Sequence, residues 1–198
     1  MIRRKAMRKI ITLALLILIL PAMPAYALSE LADDFLLECR QLDRPFPPED
    51  WSDEDIRLAS HEVLDYYEDT GEEEWAVYFC IVALGHTRVE GDVSRILDYE
   101  DTWTEAVIEA LRGFPSPDAI ECLLRQSVAE RATFREQAYK GLGEIDFDEL
   151  EEPDEWRETV IEGLLEAREL EEYEPLIELI DETIESIELK TSGTEEEE

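Results

Sequence analysis

The chain has no asparagine, two histidines, three cysteines and eight glycines among its 198 residues. Without asparagine there is no N-glycosylation sequon. The few histidines and cysteines are not arranged in pairs, which excludes the Cys and His spacings of structural zinc sites. The Gly-x-Ser-x-Gly elbow, the phosphate-binding loop and the dinucleotide fingerprint are absent as well. We therefore expect no enzyme activity and no bound cofactor.

Positive charge is also scarce, with 18 Lys and Arg residues against 52 Asp and Glu residues and a formal net charge of −34. Nucleic acids and anionic lipids bind through Lys and Arg, so this balance excludes both as partners. A negative surface instead attracts cations: a basic protein, polyamines, divalent metals, or the ions of a saline habitat. A basic protein partner is the prediction, and adaptation to salt is the alternative explanation for the acidity.

Residues 1–27 have the pattern of a cleavable signal peptide. Five Arg and Lys residues precede the apolar run Ile10–Leu20, and Ala25-Tyr26-Ala27 is a small-x-small cleavage site. The apolar run has 11 residues, whereas a membrane-spanning helix needs about 20. We expect cleavage and export to the periplasm or the extracellular space, with a retained amino-terminal anchor as the alternative. The exported chain keeps 13 Lys and Arg residues and all 52 acids, a net charge of −39.

The remaining apolar residues follow a helical period almost throughout, so the predicted fold class is all-α. Residues 52–55, Ser-Asp-Glu-Asp, are typical of a helix amino-terminal capping box, and Ser116-Pro117-Asp118 is a second helix start. Gly71, Gly85 and Gly113 are expected at the carboxyl ends of helices.

Two nine-residue segments, WTEAVIEAL at 103–111 and WRETVIEGL at 156–164, are identical at six positions. Segments 134–142 and 75–83 fit the same frame more loosely. The four leading aromatic residues are 28, 31 and 22 residues apart, about the length of a helical hairpin. Residues 146–152, an acidic stretch, occupy the place of a second helix in the short interval. This spacing predicts an α-solenoid of stacked helical hairpins.

Segment 104–124, with a helix, a glycine, a Pro-Asp turn and a second helix, resembles a short HEAT-like repeat of the phycobilisome-lyase type. Segment 135–143 is similar to the first helix of that repeat. The resemblance implies a scaffold that binds proteins, with repeats over 72–190, two capping helices over 28–71 and a disordered acidic tail at 191–198. The family's lyase activity is not carried over to an exported chain. Tetratricopeptide repeats are the alternative, disfavoured because the unit here is shorter than the about 34 residues they need.

The leading aromatics and the apolar residues that share their helix faces are predicted to form the buried seam between repeats. An exposed row of aromatics that stacks on a ligand is the alternative, and Trp51 is expected to be an exposed contact. The predicted seam consists of Trp75, Trp103, Val107, Ile108, Leu111, Phe134, Leu142, Trp156, Val160, Ile161 and Leu164.

Two weaker patterns concern metals. His61-Glu62-x-x-Asp65 places two metal-binding residues one helical turn apart, and Asp146, Asp148, Glu149 and Glu151 could converge on calcium in an extracellular protein. Cys39, Cys80 and Cys122 allow either one disulfide or three free thiols.

The functional prediction is an exported acidic scaffold for a basic partner. The alternatives are a calcium-responsive binding protein and, less favoured, a hydrolase.

Overall fold

A computed structural model describes residues 27–41 and 51–192. Three predictions lie wholly or largely outside these ranges: the signal peptide, the loop that leads to Trp51, and the acidic tail. Within the described ranges the chain is helical and contains no strand, as the apolar period predicted.

Nine α-helices and three short 3₁₀ turns make up the described part of the chain. None of the helices described is both long enough and apolar enough to cross a membrane. The helices are α1 (Glu30–Cys39), α2 (Asp53–Thr70), α3 (Val77–His86), α4 (Val93–Leu97), α5 (Thr104–Leu111), α6 (Pro117–Gln126), α7 (Ala132–Gly143), α8 (Pro153–Leu170) and α9 (Glu174–Ser192), and the 3₁₀ turns are Glu74–Ala76, Glu90–Asp92 and Phe147–Glu149.

The helices pack in two rows. Helices α3, α5, α7 and α9 contact each other in that order, and α4, α6 and α8 form a second row that packs against the first. Helix α2 packs on α3, and α1 packs on α2. Helices that are two apart in the chain therefore lie side by side in one row. One apolar core lies between the two rows.

The helix starts and stops follow local rules that the sequence displays. The Ser52 hydroxyl accepts a hydrogen bond from the Asp55 N–H at 3.1 Å, which caps α2. Gly71 has φ +72° and its N–H donates to the Tyr67 carbonyl, which ends the same helix. Pro117 is the first residue of α6, where its missing N–H costs nothing. These predictions are confirmed.

Gly85 differs from its prediction. It lies inside the last turn of α3 and is buried, whereas a C-cap glycine would follow the helix. A Cβ at this position would overlap the Ala110 backbone, with 2.5 Å between that Cβ and the Ala110 Cα. Gly85 therefore allows α3 and α5 to approach closely, which is a packing role that a local sequence pattern cannot show.

The third interval of the repeat has no second helix, as predicted, but the helix that follows it does not take the place that the repeat frame implied. Between α7 and α8 there is only the 3₁₀ turn Phe147–Glu149, and the helix that follows packs mainly against α6 and α9. Helix α8 thus belongs to the second row, whereas α5 belongs to the first. The similar segments 103–111 and 156–164 lie in different rows, because only a 3₁₀ turn separates α7 from α8 and α8 itself takes the second-row place after α7.

Candidate functional site

A groove of about 580 Å³ lies where the ends of three connections meet. Its lining includes Arg88 from the turn after α3, Phe114 from the turn after α5, and residues 149–152 from the connection between α7 and α8. Trp156, in the first turn of α8, also lines it. The groove therefore crosses three alternate connections, those that follow α3, α5 and α7, along one edge of the two-row structure.

The turn after α5 is fixed to the end of α7. Gly113 has φ +63°, a conformation that favours glycine, and its N–H donates to the Gly141 carbonyl with an N to O distance of 3.1 Å. Beside this bond, Arg112 Nε donates to Glu144 Oε2 at 2.6 Å. The carboxyl ends of α5 and α7 are thereby held side by side.

Arg88 fixes the end of α3 to the same place. It has φ +54°, which is uncommon for a residue with a Cβ. Its guanidinium donates to the Gly113 carbonyl and lies 5.6 Å from the centre of the Phe114 ring. The protein thus holds one of its own cations between a helix-end carbonyl and an aromatic ring. The sequence did not indicate this contact, because Arg88 and Gly113 are 25 residues apart.

The acidic connection before α8 is ordered by Arg157. The Arg157 guanidinium pairs with Asp148 and, at 2.7 Å, with Asp154, and it lies 5.8 Å from the centre of the Phe147 ring. Only 11% of the Arg157 side chain is exposed, so the guanidinium is a structural anchor for this connection. Its positive charge is paired with Asp148 and Asp154 and with no other acid of the connection.

Four glutamates at the groove have no such compensation. Glu90 lies on one side, and Glu149, Glu151 and Glu152 lie on the other. All four are exposed, and within the described part of the chain their carboxylates have neither a hydrogen-bond donor nor an ion-pair partner. Arg88 is the cation of the groove lining, and it is already bound to Gly113 and Phe114. The groove is therefore strongly negative.

The leading aromatics of the repeat frame do not share one environment. Trp103, Phe134 and Trp156 are half-buried against the core, whereas Trp75 is 37% exposed. Arg40 lies 4.9 Å from the centre of the Trp75 ring, and the Trp75 Nε1–H donates to Glu73. The apolar companions of the predicted seam are buried or nearly so: Val107, Ile108, Leu111, Leu142, Val160 and Leu164 are buried, and Ile161 is half-buried.

Trp51 is half-buried and packs against the buried Phe35 of α1, with 5.7 Å between the ring centres. It is therefore a core contact between the start of α2 and α1, and the prediction of an exposed contact was wrong. The sequence did not predict the contact between Trp51 and Phe35, because only the packing of α1 on α2 brings the two residues together.

The candidate calcium residues do not converge in the structure. Asp146 Oδ1 accepts a hydrogen bond from the Asp148 N–H at 3.2 Å, which begins the 3₁₀ turn, and Asp148 pairs with Arg157. Glu149 and Glu151 face the groove. Across residues 27–41 and 51–192, no three His, Cys, Asp or Glu side chains are placed to hold a metal ion.

His61 has a different partner from the one that the metal pattern suggested. Its Nε2 lies 2.8 Å from Oδ1 of Asp92, while Asp65 pairs with Arg95 at 2.7 Å. Asp92 also accepts a hydrogen bond from Arg57 Nε at 2.6 Å and is 1% exposed. Burial acts to raise the pKa of Asp92, but the bonds from Arg57 and His61 outweigh it and hold that pKa below its usual value. His61 thus lies within hydrogen-bond distance of the Arg57–Asp92 ion pair, which joins α2 to the turn before α4.

The three cysteines are free and buried. Burial raises the pKa of Cys39 and of Cys122 to about 12, and it raises the pKa of Cys80 as well. Thiolates are therefore scarce at neutral pH, so these residues are suited to packing and poorly suited to nucleophilic or metal chemistry.

Arginine side chains join neighbouring helices along the whole described part of the chain. Most of these pairs connect residues 25–36 positions apart in sequence, so they tie a helix or its end to another helix or connection of the structure. The closest N to O distances are 2.5–2.8 Å for Arg57–Asp92, Arg95–Asp65, Arg112 Nε–Glu144, Arg125–Glu100, Arg135–Glu171 and Arg168–Asp181.

Comparison of the chain with protein-family models, with curated protein sequences and with solved structures finds no match.

Proposed function

We propose that this chain is an exported, acidic helical-repeat scaffold that binds a basic protein partner. The observation that carries the proposal is that the basic side chains are paired within the molecule whereas many acidic side chains are not. Each Lys and Arg of the described ranges is engaged inside the molecule by a carboxylate, a backbone carbonyl or an aromatic ring. Many exposed carboxylates, such as Glu90 and Glu151, have no counter-charge in those ranges. The excess negative charge is free to attract a cationic partner.

The architecture supports a scaffold role. We infer that the helices form a short α-solenoid of HEAT-like hairpins, because alternate helices are lateral neighbours and the connections after α3, α5 and α7 lie at one edge. A solenoid exposes a long surface relative to its core, which suits the recognition of an extended segment. The signal-peptide pattern of residues 1–27 supports an interaction outside the cytoplasm.

Binding of a defined basic peptide tests the proposal. We expect a fluorescein-labelled lysine-rich peptide to bind the purified protein at about 10 mM salt and to dissociate at about 1 M salt, where the Debye length falls from about 30 Å to about 3 Å. A peptide of the same length with glutamine in place of lysine is the control and is expected not to bind. Fluorescence anisotropy measures both.

Failure of the lysine-rich peptide to bind at low salt, or binding that salt does not weaken, would contradict the proposal. Capture of partners from the exported fraction at both salt concentrations then extends the test. A partner with a basic surface that is retained only at low salt is the expected result.

A further inference from the structure

The groove at the turn edge is lined by helix ends of both kinds. The turns after α3 and α5 line it, and so do the amino-terminal ends of α6, at Pro117, and of α8, at Glu152 and Trp156. Helix carboxyl ends carry partial negative charge and amino-terminal ends carry partial positive charge, so the two contributions oppose each other. The negative field of the groove therefore comes from its glutamate side chains.

The chain itself shows that helix carboxyl ends bind cations. Arg88 donates to the Gly113 carbonyl at the end of α5 and stacks over Phe114. Lys190 Nζ donates to the Gly143 carbonyl at 3.0 Å and to the Ile145 carbonyl at 3.4 Å, at the end of α7. Two internal cations thus bind helix-end carbonyls, and one of them also lies over an aromatic ring; the groove offers a further cation an aromatic ring and four carboxylates.

The remaining lining suits a cation with a hydrocarbon stem. Trp156 is half-buried with part of its surface in the groove, and Pro115, Pro117 and Leu150 supply further apolar area. The aliphatic stem of lysine or arginine packs on such a surface while the charged end reaches the glutamates, and an indole ring is the best aromatic partner for a cation. A hydrated metal ion would gain little from this apolar lining, and the described residues contain no metal-binding cluster.

We propose that the groove binds a lysine or arginine side chain of an extended segment of the partner protein, with the stem against Trp156 and the charge between Glu90 and residues 149–152. Pockets of about 300–1,000 Å³ enclose ligands larger than one side chain, so the groove volume of about 580 Å³ also admits the neighbouring residues of the segment. This inference rests on the proposed function and assigns its binding site.

Two charge-matched triple variants separate the groove from the general acidity of the molecule. One carries Glu149→Gln, Glu151→Gln and Glu152→Gln at the groove. The other carries Glu178→Gln, Glu182→Gln and Glu185→Gln, which are exposed residues on α9. Both lose three negative charges, so any long-range attraction falls equally. We expect the groove variant to bind the lysine-rich peptide about tenfold more weakly and the α9 variant less than about twofold more weakly.

Indole resonances give a second readout that a folding defect does not imitate. In ¹⁵N-labelled protein, addition of the peptide is expected to shift the Trp156 Nε1–H signal, identified with a Trp156→Phe variant. The exposed Trp75 lies outside the groove lining, so its signal is expected to stay in place.

The outcomes separate the two proposals. Equal weakening in both triple variants, with an unmoved Trp156 signal, would overturn the groove assignment and leave the acidic scaffold intact. Absence of peptide binding by the unmodified protein at low salt would overturn the proposed function itself. Selective weakening by the groove variant together with a shifted Trp156 signal would support both.

Discussion

Asp92 is a buried carboxylate whose charge is held by two side chains of α2. Its oxygens lie 2.6 Å from Arg57 Nε and 2.8 Å from His61 Nε2, and the residue is 1% exposed. A carboxylate so far from water is stable only while its donors stay in place. The cluster therefore ties α2 to the turn before α4, and the His61 that resembled a metal ligand serves this contact.

We expect Asp92→Asn to lower the free energy of unfolding by about 1–3 kcal/mol, because hydrogen bonds to a charged group are lost. Urea denaturation followed by circular dichroism measures the change. Asp101→Asn is the control: Asp101 is exposed and its carboxylate contacts no donor in the described ranges, so its loss is expected to have little effect. An equal effect of the two substitutions would contradict a stabilising role for the Asp92 cluster.

The same cluster predicts a dependence on pH. The folded-state pKa of Asp92 is lowered, so its contribution to stability is fully present above the unfolded value of about 3.9 and is lost as pH falls through the lower folded value. The difference in stability between the unmodified protein and Asp92→Asn should therefore be constant near neutral pH and shrink below about pH 4. A stability difference that grows as the pH falls would mean that the folded-state pKa of Asp92 is raised and not lowered.

Among the helices, the contact between α3 and α5 depends most directly on one small residue. An added Cβ at Gly85 would overlap the Ala110 backbone, which no side-chain rotation can relieve. The two helices would have to separate, and the packing of apolar side chains on both would loosen. This crossing is also next to the groove, because the turns after both helices line it.

We expect Gly85→Ala to destabilise the protein by about 1–3 kcal/mol, although alanine is the better helix former by about 1 kcal/mol. Gly91→Ala is the matched control, since a Cβ there meets nothing within 4 Å. It should be neutral or stabilising by up to about 1 kcal/mol. Chemical denaturation of both variants measures the contrast. A Gly85→Ala protein as stable as the unmodified one would mean that α3 and α5 are not so closely packed.

The molecule as a whole is dominated by repulsion between like charges. Each inter-helix ion pair is neutral, so the formal net charge of −34 comes from acidic residues that have no basic partner. Salt weakens the ion pairs and also screens the repulsion, and the excess of acids makes the second effect larger.

We expect the melting temperature to rise by about 2–8 °C between about 10 mM and about 1 M sodium chloride. Differential scanning fluorimetry measures it, with magnesium and calcium chloride at matched ionic strength as the comparison. Equal effects of the three salts are expected from screening alone. A rise specific to calcium would favour the calcium-responsive alternative, and a fall in melting temperature with salt would show that the ion pairs dominate.

The sequence by itself determined the helices, the caps at Ser52 and Pro117, the αL stop at Gly71 and the negative charge, because these depend on residues close together in the chain. Tertiary structure alone decided the close approach at Gly85, the core position of Trp51 and the contact of His61 with Asp92, since each depends on an element elsewhere in the chain. It also placed the similar segments 103–111 and 156–164 in different rows. The groove that joins Arg88, Phe114 and Trp156 exists only because packing brings three connections to one edge.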